Sequence, residues 1–153
     1  LYRRSRAVLP KRQTWTMTYS FSADPARMDR DRVFSWIAEQ SYWAQGRARE
    51  TQERAMDGSF NYGMFDDASG EQVAYARVVS DGATFAWLCD VFVDESVRGA
   101  GVGVALIEGV CGHLDPMGLR RIMLATRDAH GLYAKFGFGP VADPEMWMAR
   151  TAP

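Results

Sequence analysis

The chain has 153 residues, 47% hydrophobic and 24% charged, with a formal net charge of −1. Those values describe one globular domain with a full core, and so small a net charge gives no electrostatic reason to expect nucleic acid or an anionic membrane as partner. Cys89 and Cys111 form neither a disulfide framework nor a metal-binding spacing, and no apolar run reaches transmembrane length, so the expectation is a metal-free domain in a reducing, cytoplasmic compartment.

Residues 1–16 carry Arg3, Arg4, Arg6, Lys11 and Arg12 with no acid. The apolar stretch Ala7-Val8-Leu9 stops at Pro10, too short for a secretory signal. This segment reads as a basic, flexible N-terminal extension, with Met17 as a candidate start and the domain over 17–153. Alternation predicts a first strand over Thr14 to Phe21. From Asp29, Val33, Trp36, Ile37 and Gln40 share one face at helical spacing, and Arg47 to Met56 reads as a second, polar helix. Asn61 to Phe65, Gln72 to Val79 and Phe85 to Val93 read as strands joined by turns at Asp67-Ala68-Ser69-Gly70 and Ser80-Asp81-Gly82. A helix follows with Leu106, Ile107, Val110 and Leu114 on one face and Gly103 a turn earlier, ended by Asp115-Pro116-Met117-Gly118. A strand near Met123, a helix from Ala129 to Phe136 and a last strand around Met146-Trp147-Met148 complete the order.

The segment Val91-Phe92-Val93-Asp94-Glu95-Ser96-Val97-Arg98-Gly99-Ala100-Gly101-Val102-Gly103 is the most informative. A strand runs through a short loop into a helix whose first N–H groups have no internal partner and carry partial positive charge. Glycines admit a phosphate close to that backbone, and Arg98 adds a charged, forked donor. The guest this implies carries a diphosphate. A P-loop would need Lys-Ser/Thr after the last glycine, but Val104-Ala105 stand there. A dinucleotide fingerprint would need Gly-x-Gly-x-x-Gly after an N-terminal βαβ unit, and the spacing here is Gly-x-Gly-x-Gly.

Arg98-Gly99-Ala100-Gly101-Val102-Gly103 after Val-Phe-Val-Asp resembles the Arg/Gln-x-x-Gly-x-Gly/Ala loop of the GNAT acetyltransferase superfamily. Downstream, Leu132-Tyr133-Ala134-Lys135-Phe136-Gly137-Phe138 resembles the tyrosine helix and Gly-Phe turn of the same superfamily. The two blocks cover the second half of the chain. The resemblance implies an α/β (α+β) fold: one domain with a central mixed, mostly antiparallel sheet and helices on both faces. It also implies an N-acetyltransferase that moves an acetyl group from acetyl-CoA to a primary amine by direct attack in a ternary complex. The acceptor would be a small molecule or a protein amine. A capacity to form a homodimer comes with the family, although no interface is marked. The alternatives are a non-catalytic acyl-CoA-binding or regulatory module on the same fold, and a module that reads only a nucleotide diphosphate.

By the same resemblance, Val91, Phe92 and Val93 bind the cofactor's pantetheine arm, a backbone N–H near Val91 polarises the thioester, and the Arg98–Gly103 loop takes the diphosphate. Tyr133 is the candidate acid for the leaving thiolate, its competing reading being an aromatic at the core edge. Asp90 is the leading candidate to accept the amine's proton, because an acid within an apolar run needs a reason to be there. Its competing reading is a buried carboxylate paired with Arg77. His130 and then Glu39 are further candidates for the base. Cys89 reads as a buried thiol rather than an acetyl carrier. Tyr42 and Trp43 could pack an apolar acceptor and Arg47 hold an acidic group, or the aromatics could fill core beneath a surface arginine.

Overall fold

Two tight turns fold the middle of the chain back on itself. The Asp66 carboxylate accepts the N–H groups of Ala68 and Ser69, and that of Asp81 accepts those of Ala83 and Thr84. They join β2 (Phe60–Asp66), β3 (Gln72–Ser80) and β4 (Phe85–Val93), the antiparallel meander expected from the alternation. The computed structural model describes residues 18–153. The extension 1–16 and the first residues of the expected first strand lie outside the described residues. β1 (Tyr19–Ser22) pairs antiparallel with β2, and β5 (Arg121–Met123) pairs parallel with β4, giving one five-stranded sheet in chain order.

Helices cover both faces. On one, α3 (Val102–Leu114) buries Val102, Leu106, Ile107, Val110 and Leu114 against Tyr62, Met64, Ala76, Val78 and Leu88. On the other, Val33, Trp36 and Ile37 pack with Met56 of α2 (Arg49–Asp57) on Phe65, Tyr75 and Phe92. The Trp36 and Phe92 rings stack with centroids 5.7 Å apart. This is the mixed, mostly antiparallel α+β fold that the sequence predicts.

Gly109 marks where α3 approaches β1 most closely. A Cβ there would overlap the Phe21 ring, which is fixed by stacking on Tyr62 at 5.7 Å. Gly109→Ala is therefore expected to destabilise the domain by about 1–3 kcal/mol through overpacking, read as a lower midpoint in urea.

Three sequence expectations are corrected. The first helix is a five-residue α1 (Arg30–Phe34) that widens into a π-helical segment, Ser35–Gln40, in which Trp36, Ile37 and Ala38 are all buried and Gln40 is exposed. Arg47 precedes α2 rather than lying in it. No strand forms at Met146-Trp147-Met148. Asp143 adopts φ +51 and Pro144 opens a single 3₁₀ turn, Pro144–Met146. Proline supplies no N–H for a ladder. Trp147 instead meets the edge strand through the Arg121 guanidinium, 4.9 Å from its ring.

The feature that shapes the site is in β4. Tyr75 faces Phe92 while Arg77 faces Cys89, so β4 holds one residue more than β3 between these pairs. This is a β-bulge, and Asp90 within it takes φ +50, uncommon for a residue other than glycine. The β4–β5 ladder ends at Trp87 and Met123. Beyond that point a cleft separates the two strands.

Candidate active site

The cleft between the diverging strands encloses about 540 Å³, a volume suited to a small molecule. Val91 and Asp90 of β4 form one side, and Leu124 to Ala129 with Tyr133 form the other. Tyr42 and Trp43 stand at the mouth, 50% and 43% exposed, on a turn pinned by one hydroxyl: Ser41 Oγ donates to Ile37 O at 2.6 Å and accepts the Ala44 N–H at 3.1 Å. The two rings meet edge to face with centroids 5.0 Å apart. Tyr42 and Trp43 thus line the cleft.

Asp90 is buried, and its oxygens are fully engaged. Oδ1 accepts from Trp43 Nε1 at 3.1 Å and from an Arg47 terminal nitrogen at 3.3 Å. Oδ2 accepts from the other Arg47 terminal nitrogen at 2.7 Å and from Arg77 Nε at 2.8 Å. Four donors fill the roughly four lone-pair positions of a carboxylate. Burial alone would raise this carboxyl's pKa, but the Arg47 and Arg77 guanidiniums outweigh it and hold the pKa below the usual range. A carboxylate so held is a poor base. The geometry matches the competing reading, a buried ion pair with Arg77, and extends it to Arg47. The same contacts correct the expectation for Arg47: it lines the cleft, but its guanidinium is committed to Asp90 and to Gln52 Oε1 at 2.9 Å.

Neither reserve base fits better. His130 is exposed and lines a second cavity beyond β5 rather than this cleft. Glu39 is exposed and bonded to Ser35 Oγ at 2.8 Å. Cys89 lines the cleft, but burial pushes its thiol up to about 11, so at neutral pH it is protonated and weakly nucleophilic.

Tyr133 lies in the short α4 (His130–Ala134), whose start is tied down by the Ala129 N–H donating to Thr126 Oγ1 at 3.0 Å. Leu132 and Phe136 pack on the core edge while Tyr133, 7% exposed, reaches the cleft wall. Burial, then Tyr42 and Asp128, push its hydroxyl up to about 12. It therefore holds its proton across the physiological range, as an acid must before it acts. The Gly-Phe turn supports it: Gly137 takes φ +85, and the Phe138 ring lies 6.0 Å from that of Tyr133.

The glycine loop continues from the other end of β4. Gly99 and Gly101 adopt φ +82 and +79, and a Cβ on either would meet no atom within 4 Å. Gly101 is the N-cap of α3, and no side chain caps that terminus. Arg98 folds back, its Nε donating to Val93 O at 3.1 Å and its guanidinium 5.3 Å from the Phe92 ring centre.

Two charged cleft residues were not singled out from the sequence. Arg127 lies with its guanidinium carbon 4.4 Å from the Tyr42 ring centre, and Asp128 follows it in the cleft wall. Their position between a strand end and the tyrosine helix was the available signal.

Comparison with known proteins places these features in context. Residues 30–138 match the family model described as the acetyltransferase (GNAT) family. A crystal structure of a provisionally named GNAT-family acetyltransferase from Xanthomonas campestris pv. campestris is 43% identical, with a TM-score of 0.83 over 89% of this chain and 94% of that one. A provisionally named acetyltransferase of Gibberella zeae is 27% identical over 83% of this chain and 82% of its own length. The chloroplastic serotonin N-acetyltransferase 2 of Oryza sativa subsp. japonica is 35% identical over 67% of this chain, which spans 54% of that protein.

Proposed function

The chain belongs to the acetyltransferase (GNAT) family, and from that premise we propose that it transfers an acetyl group from acetyl-CoA to the nitrogen of a primary amine within a ternary complex. The observation that carries this reading is the continuity of β4. One end of the strand leads into an uncapped helix terminus with two open glycines, and its bulge opens a cleft containing a protonated tyrosine.

The chain fits acetyl-CoA at the loop, where the space beside Gly99 and Gly101 is what a diphosphate would occupy. Bound acetyl-CoA supplies the activated acetyl thioester. Gly99, Gly101, Val102 and Gly103 offer backbone N–H groups, that of Ala100 being bonded to Val97 O at 3.3 Å, and the helix dipole favours the diphosphate's charge. Arg98 adds a guanidinium whose Nε is used on Val93 O and whose terminal nitrogens have no hydrogen-bond partner among the described residues. Phe92 and Val93 belong to the strand beside which the pantetheine arm would lie. The backbone N–H at Val91 is the fixed dipole that favours developing negative charge on the carbonyl oxygen. Tyr133 holds a proton at its hydroxyl for the departing thiolate. With the Asp90 lone pairs occupied, the amine gives up its proton to solvent in the open cleft.

Gly101→Val places a β-branched residue at φ +79, a strain of order 1–3 kcal/mol, and puts its bulk in the open space. Arg98→Ala removes one exposed cation. Acetyl-CoA affinity is expected to fall at least ten-fold for the glycine change and less for the arginine change. Unchanged affinity by calorimetry in folded Gly101→Val would remove the loop from the site.

The reaction itself is tested by incubating purified protein with acetyl-CoA and a panel of primary amines while following free CoA. Turnover that depends on the amine supports the transfer. Tight acetyl-CoA binding with no turnover on any amine would make the chain a non-catalytic acyl-CoA-binding module. If ADP competes fully with acetyl-CoA and the acyl group adds no affinity, the chain reads only the diphosphate.

A further inference from the structure

Three guanidiniums face the acceptor cleft, those of Arg47, Arg77 and Arg127. Arg47 and Arg77 are spent on Asp90. Arg127 forms no ion pair among the described residues. It rests on the face of the Tyr42 ring at 4.4 Å. Face contact with a ring leaves the in-plane N–H groups of a guanidinium free, and those present a fork that matches a carboxylate. Stacking also restricts the side chain before any ligand arrives, which lowers the ordering cost on binding.

Beside it, Asp128 lines the same cleft and is also without an ion pair among the described residues. It acts electrostatically on Tyr133, as Tyr42 does, so Arg127, Tyr42, Asp128 and Tyr133 surround one region of the cleft. A free cation and a free anion next to each other match a ligand carrying both charges. An amine without an acid would leave the Arg127 charge unmatched and face its repulsion.

We propose that the acceptor is an amino-acid-like amine, with its carboxylate on Arg127, its ammonium toward Asp128 and its side chain against Tyr42 and Trp43. This rests on the N-acetyl transfer proposed above and narrows its substrate class. An arylalkylamine, which the aromatic pair alone would also accept, is the competing acceptor, and it lacks the carboxylate.

The test uses a panel of L-amino acids, each beside its carboxamide and its decarboxylated amine, with wild-type protein and Arg127→Gln at saturating acetyl-CoA. Amines in such a set differ in basicity, so the informative quantity is the ratio of kcat/KM for acid over carboxamide, compared between the two proteins. The intrinsic reactivity of the amine cancels in that comparison. Loss of one charge-assisted fork should reduce the ratio by about 10- to 100-fold, mainly through KM, and Arg127→Lys should restore part of it. If carboxamides or decarboxylated amines are the better acceptors throughout, or if the ratio is the same in Arg127→Gln, the proposal is overturned while N-acetyl transfer stands. If no amine is acetylated by protein that binds acetyl-CoA, the transfer reading fails, and this proposal fails with it.

Discussion

Replacing Asp90 with Asn is expected to cost about 3 kcal/mol of folding stability, measured as a lower urea midpoint and a lower Tm. Removing one member of a buried ion pair costs about 3–5 kcal/mol, because the partner's charge is left without compensation. The lower end applies here because the Arg47 and Arg77 side chains retain 21% and 12% exposure. Asparagine is the right probe. It keeps the size of the side chain and tolerates the left-handed backbone at φ +50, so the change reports on charge rather than on the bulge. The pH dependence follows from the direction of the shift. Asp90 is held below its unfolded-state pKa, near 3.9, by two guanidiniums that outweigh its burial. Its contribution is complete above that value and is lost as pH falls through the lower folded pKa. The stability difference between wild type and Asp90→Asn should therefore shrink below about pH 4. A variant that melts like wild type but loses turnover at low pH would return Asp90 to the role of base.

The meander, α3 and the glycine loop were legible because each has a strong local signature: alternating side chains, a 3.6-residue apolar stripe, and glycines where φ is positive. The Asp90 clamp was only half legible. Arg77 lies on the neighbouring strand and could be named, but Arg47 meets Asp90 across 43 residues of sequence, a pairing that no local pattern encodes. The bulge was hidden for the same reason. It is a mismatch of register between β3 and β4, and β4 alone reads as an ordinary strand. The π-helical widening at Ser35–Gln40 is invisible to an analysis that assumes one helical period. The expected strand at Met146-Trp147-Met148 shows the opposite failure. Its apolar residues suggested burial, yet Met146 and Met148 are 75% and 97% exposed, because a positive-φ residue and a proline turn the chain just before them. Arg127 was not singled out from the sequence. Its importance rests on what the other arginines are doing, and that is a tertiary fact.

Converting Tyr133 to Phe is expected to slow acetyl transfer by about 10²-fold, the lower end of what a positioned general acid contributes. Two facts set that magnitude. Burial, with Tyr42 and Asp128, pushes the phenol up to about 12, well above a thiol near 8.5, so proton transfer to the thiolate stays uphill even once the carbon–sulfur bond is broken, which limits the benefit. The thiolate is also a fair leaving group without help. The substitution leaves the ring and its contact with Phe138 intact, so Tm and acetyl-CoA affinity should hold, and the loss should fall on kcat in single-turnover measurements. In wild type the rate should rise with pH as more amine becomes neutral. It should fall only near the high pKa of Tyr133, where the group loses the proton it must donate. In Tyr133→Phe that alkaline fall should be absent, since no titrating hydroxyl remains. Full turnover in a folded Tyr133→Phe variant, or an alkaline fall unchanged by the substitution, would leave Tyr133 as an aromatic at the core edge and transfer the proton to water.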